Sequence, residues 1–201
     1  MALVDRVKRI LLTPTQEWAV IEAEPATPGS LFTGYAVPLA AIRAIAGFIG
    51  FSLIGISMLG TRLQAPMGTG LTWAAVQYVG SLVGVYVLAL IIDALAPTFG
   101  GTKNSTQALK VAVYSSTAAW LAGIFAIIPS LAVLSLLGLY SLYLLYLGLP
   151  ILMKTPQDKA LGYTVVVVIV AVVIFVVIGT LATRVAGLNG LGGADFPGLR
   201  P

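Results

Sequence analysis

The chain contains no cysteine and no histidine. Those two absences exclude a disulfide framework, a Cys/His zinc or haem site, and a histidine base or proton relay. Charge is scarce as well, at 9% of the 201 residues, against roughly a quarter in an average soluble domain. The acidic residues form no carboxylate pair, Ser/Lys dyad or metal-ligand spacing, so neither an enzyme nor a bound cofactor or metal is expected. Arg6, Lys8 and Arg9 make a basic cluster with no aromatic residues interleaved, in a chain of net charge +4. That pattern speaks against nucleic acid as a partner. Beside a membrane span it orients the chain and touches anionic lipid.

What fills the chain is apolar: 59% of its residues are hydrophobic. A soluble domain of this size has no use for so much apolar surface, whereas a bilayer does. The expected fold is an all-α integral membrane protein with five transmembrane helices and short N-terminal interfacial amphipathic helices. Crossing ~30 Å of hydrocarbon needs about 20 apolar residues. Five stretches qualify: Tyr35–Leu59, Thr72–Ala96, Val111–Ile128, Leu131–Met153 and Gly162–Val185. Pro129 and Ser130 alone separate the third from the fourth, which predicts a tight hairpin. The run Val165-Val166-Val167-Val168-Ile169-Val170 reads as a strand by propensity. An isolated strand in lipid would leave its backbone unpaired, so a helix is expected. The Val, Ile, Leu and Phe residues between Thr164 and Leu181 contribute roughly −4 kcal/mol of insertion free energy.

Three parts follow: residues 1–34 as a cytoplasmic amphipathic segment, 35–186 as the membrane domain, and 187–201 as a disordered Gly/Pro-rich tail. Leu3, Val7, Ile10 and Leu11 recur at helical spacing opposite Arg6, Lys8 and Arg9, which predicts an interfacial helix. Thr13-Pro14-Thr15-Gln16 has capping-box spacing and should start a second helix, with Trp18 at headgroup depth. Charged residues run through the N-terminus, so the first span should act as an uncleaved signal anchor. In the tail, Gly190-Leu191-Gly192-Gly193 lacks the strand that a nucleotide-binding loop needs. With five spans, Arg6, Lys8, Arg9, Lys103, Lys110, Lys154 and Lys159 share one side, opposite Arg62, Arg184 and Arg200. The excess puts the N-terminus in the cytoplasm and the C-terminus outside.

Ionisable side chains within spans are the default functional candidates, because each costs about 2.5–3.5 kcal/mol at the bilayer centre on insertion scales. Arg43 and Asp93 are the two here, expected about 12 Å and 5 Å deep in the cytoplasmic leaflet at 1.5 Å per residue. They could form a gate or solute site, or simply pair as a clasp. Failing a pair, Arg43 becomes a candidate site for anionic lipid. Tyr114, with Ser115, Ser116 and Thr117, and the helical set Tyr140, Tyr143 and Tyr146 could line a polar cavity open to the cytoplasm. The alternative is interhelical hydrogen bonding and interface anchoring. Gly80 with Gly84, and Ala119 with Gly123, are small-residue faces that predict close helix packing.

The segments Gln107-Ala108-Leu109-Lys110-Val111-Ala112-Val113-Tyr114, Tyr143 to Lys154, and Lys159 to Val166 together resemble the bacterial branch of the Yip-domain (Ypt-interacting protein) family. Gly100-Gly101 and the stretch Pro14 to Trp18 extend the resemblance over roughly residues 5–185. It implies a five-helix membrane domain with a cytoplasmic N-terminus in the bacterial inner membrane. Eukaryotic members are implicated in Rab GTPase binding and vesicle traffic. The Asp-Leu-Tyr-Gly-Pro motif of their N-terminal region has no counterpart in residues 1–34, so that activity is not expected here. The expected role is a non-enzymatic membrane scaffold or lateral partner, contacting the lipid bilayer and other membrane proteins or copies of itself. The alternative is a small transporter, channel or lipid-moving protein with a cytoplasm-facing polar cavity.

Overall fold

The computed structural model of the chain describes residues 2–58 and 61–185. Five of its helices are long and apolar enough to cross a membrane: Pro28–Ile54, Met67–Phe99, Ser105–Ile127, Val133–Leu152 and Gln157–Val176. The tail 187–201, with its glycine run and Arg200, lies outside the described residues.

The first span begins well before Tyr35. Thr27 accepts a hydrogen bond from the Ser30 amide (3.2 Å), and Ser30 Oγ accepts one from the Thr27 amide (3.0 Å). This reciprocal cap, with Pro28 at the first helical position, sets the start. Two segments of this span, Phe32–Ala36 and Ile49–Ile54, are wound as π-helix. A short antiparallel hairpin follows, β1 (Ile56–Met58) and β2 (Thr61–Leu63), with Ile56 opposite Leu63. The third and fourth spans turn at Ile128, which is extended (φ −112°) ahead of Pro129, as the Pro-Ser pair predicts. Both arms of that turn are 3₁₀-wound, over Gly123–Ile127 and Pro129–Leu139. The valine run is helical within the last helix, Gln157–Val185.

Two N-terminal helices form, α1 (Leu3–Leu12) and α2 (Pro14–Ala23). Proline opens α2 as predicted, but the Thr13 side chain does not cap it; its hydroxyl donates to the Arg9 carbonyl (3.1 Å) instead. The apolar stripe of α1 is turned onto the bundle. Ile10 is fully buried, and Leu3, Val7 and Leu11 pack against the same core. Trp18 is likewise buried in protein rather than set among headgroups. Its seat is Gly148, where an added Cβ would stand 2.8 Å from Trp18 Cζ2. Nothing larger than hydrogen fits there without displacing the indole.

One end of the bundle gathers the N-terminal helices and the second and fourth loops. Lys154 pairs with Glu22 (2.7 Å), and the Thr102 amide donates to the Met153 carbonyl (2.8 Å). Gly100 takes a positive φ of 75° to close the second loop. The grouping matches the side on which the Lys/Arg excess was counted. At the opposite end the first span approaches the third so closely that a Cβ on Gly50 would overlap the Ala126 carbonyl.

Candidate functional site

At the N-terminal end, α1 and α2 are fastened by an ionic joint. Arg6 donates from Nη1 to Glu17 and from Nη2 to Glu24. Arg6 is 5% exposed and Glu17 3%. Burial opposes the charge on Arg6, but the bond to Glu24, with Tyr114 and Glu17 nearby, outweighs it and raises the guanidinium pKa. The same bond holds Glu24 below the ordinary carboxylate range, against the opposing effect of its own desolvation. Lys110, on the third span, donates to the carbonyls of Ile21 (2.8 Å), Glu22 (3.3 Å) and Glu24 (2.6 Å). A cation thus closes the C-terminus of α2, where the helix dipole and orphan carbonyls favour it.

Tyr114 lies below this joint. The Arg6 guanidinium sits 5.6 Å from its ring centre, and Trp18 and Tyr35 meet it edge-on. Tyr35 in turn shares a 2.9 Å hydrogen bond with Thr117. A cavity of about 220 Å³ opens here between Arg6, Glu24, Ser30, Tyr35, Lys110 and Tyr114. Its cations are already engaged by carboxylates and carbonyls, so the chemistry is that of a fastening, not of a receptor. Ser115, Ser116 and Thr117 do not border this cavity. Their hydroxyls donate to carbonyls three or four residues back on their own helix, an arrangement that bends helices.

Arg43 and Asp93 are not brought together. With the first span starting at Pro28, Arg43 lies about 22 Å along it at 1.5 Å per residue, past the middle. Asp93 sits about 9 Å before the other end of the antiparallel second span, at Phe99. The two helices pack side by side, yet the charges differ in height by roughly 13 Å, beyond one arginine side chain. Asp93 Oδ1 is buried without a hydrogen-bond partner among the described residues. Beside it, Tyr163 donates to the Ile92 carbonyl and stacks on Phe99 at 4.9 Å.

Arg43 instead borders a cavity of about 410 Å³ between the first four spans, together with Trp73, Gln77 and Ser135. Gly123 allows the approach: a Cβ there would stand 2.5 Å from Arg43 Cγ and 2.8 Å from its Cβ. Of the other small residues, Ala119 packs on Gly138, whose added Cβ would meet its Cα at 3.2 Å, and Gly84 faces the Phe175 ring at 3.3 Å. Gly80 has nothing within 4 Å among the described residues and opens outward. The Tyr143 ring lies 5.3 Å from that of Tyr140, tilted by 45°, but is exposed, and neither it nor Tyr146 joins the Tyr114 cavity. Tyr140 donates to the Leu11 carbonyl (3.1 Å), tying α1 to the fourth span.

Five apolar helices define a polytopic membrane protein. The Yip1 domain model matches residues 8–178, and the chain belongs to that family. It is 29% identical over 156 residues to the inner membrane protein YohC of Escherichia coli strain K12, covering 75% of this chain and 80% of the relative. The YohC protein of E. coli O6:H1 matches to the same extent. No solved structure matches the chain.

Proposed function

We propose that this protein is a non-enzymatic inner-membrane scaffold that associates laterally with other membrane proteins through its second span, with its N-terminus in the cytoplasm. The observation that carries the reading is Gly80. The other three small residues expected at close contacts are filled from within the chain, whereas Gly80 is open and flanked by exposed Val76, Val79 and Val83. A small residue amid β-branched neighbours on an outward helix face lets a second helix approach closely. The inner-membrane placement rests on the relative's name and the orientation on the Lys/Arg excess.

The natural absence of cysteine makes the test clean. Single variants Gly80→Cys, Gly84→Cys and Ile169→Cys are coupled to a thiol-reactive benzophenone in native membranes and irradiated. Adducts with a protein neighbour should form from position 80 well above those from Gly84, which faces Phe175, and from lipid-exposed Ile169. Yields at position 80 no higher than at 169 reject lateral association through this face.

A further inference from the structure

The Arg43 cavity points to a second role, independent of lateral association. An arginine within the hydrocarbon is costly unless a counter-charge or water meets it. Arg43 has no ion-pair partner among the described residues, and no acidic residue lines the cavity. Its stem packs against Gly123 while the residue as a whole is exposed, so a ligand can reach the cation. Part of the cavity wall is irregularly wound. Gly123 and Ala126 come from one 3₁₀ segment, and Ser135, Leu136, Gly138 and Leu139 from the other. Such windings mark functional positions more often than regular helix does.

The cavity's mouth faces sideways. Trp73, Leu136 and Leu139 on its rim are each exposed, as lipid-facing residues are. Trp73 lies only about 9 Å from the start of its span at 1.5 Å per residue, within reach of the headgroup layer. An anion entering from this side arrives attached to a lipid. A guanidinium fork matches phosphate oxygens in pairs, and the Gln77 amide can add a further donor. We propose that this cavity binds the phosphate of an anionic phospholipid, with Arg43 as the charged anchor.

Native mass spectrometry of the full-length protein in non-ionic detergent, offered equal amounts of phosphatidylglycerol and phosphatidylcholine, tests this. Wild-type protein should retain phosphatidylglycerol preferentially. Arg43→Gln should lower that preference about tenfold or more, the scale of a lost charge-assisted hydrogen bond. Lys8→Gln with Arg9→Gln should leave it in place, since both residues lie outside the cavity. Leu139→Trp, which plugs the mouth and keeps the cation, should lower it as well, so the inference does not hang on one variant folding. Equal retention of the two lipids by the wild type overturns the proposal. A preference unchanged in Arg43→Gln and Leu139→Trp, or one lost in the Lys8/Arg9 variant, overturns it too. Displacement of phosphatidylglycerol by inorganic phosphate alone would assign the site to a soluble anion and overturn the lipid assignment.

Discussion

Replacing Arg6 with glutamine should release the N-terminal helices from the bundle. Arg6 is 5% exposed and bonded to Glu17, itself 3% exposed. Removing one member of a buried pair costs about 3–5 kcal/mol, because the other charge is stranded. The lower end applies, since the second partner, Glu24, has a side chain 43% exposed and can turn to water. A loss of about 3 kcal/mol from local opening speeds amide exchange roughly 100-fold. Hydrogen exchange of residues 3–24 in lipid nanodiscs reads that number, with the fifth span as an internal reference. Glu17→Gln should cost less, because Arg6 keeps Glu24 and the face of Tyr114. The double variant Arg6→Gln/Glu17→Gln should fall short of the summed single effects, as no buried charge is then unmatched. If Arg6→Gln leaves exchange of residues 3–24 within twofold of wild type, or if the singles simply add, the joint does not hold the helices.

The same joint should respond to acid. Glu24 and Glu22 are both held below the ordinary carboxylate range, first of all by hydrogen bonds from Arg6 and Lys154 respectively. Their contribution is complete above the unfolded value of about 4.3 and is lost as pH falls through the depressed folded values. Exchange protection of residues 3–24, corrected for intrinsic rate, should therefore hold from neutrality to mild acid and fall below it. Glu24→Gln should remove most of that dependence, Glu22 being solvent-screened. Trp18→Ala should cost about 3–5 kcal/mol at the α2 seat. Gly148→Val should displace the indole, read as a red shift of Trp18 emission in a background with Trp73 and Trp120 changed to Phe; unshifted emission would refute the Gly148 contact. Reporter fusions after Lys154 and after Val185 should report cytoplasmic and external positions respectively, and the same side for both would remove the fifth crossing.

The number of spans was legible because hydrocarbon thickness sets a length that composition must satisfy. Even the valine run, strand-like by propensity, became helix on that ground. Span ends were less legible. The Thr27–Ser30 cap sits in a stretch that is not apolar, and serine stands where the usual capping box has Glu or Gln. That shift in start has consequences for charge. Moving the helix origin from Tyr35 to Pro28 carries Arg43 about 10 Å further along at 1.5 Å per residue, out of reach of Asp93 and into the Gly123 cavity. Arg6 was readable only against the expected face: it falls three residues after Leu3 and four before Ile10, which puts it on the buried face of α1 and not opposite the apolar stripe with Lys8 and Arg9 as expected. Its partners were not, since Glu17 and Glu24 lie on and beyond a second helix and no local spacing predicts how two helices fold back on each other. The same limit hid Gly148 beneath Trp18 and Lys110 beneath the end of α2. The two intramembrane charges thus sit in different surroundings, Arg43 beside a largely apolar cavity that Gln77 and Ser135 also border, and Asp93 in a packed corner next to Tyr163. Only Arg43 is left with room for a ligand.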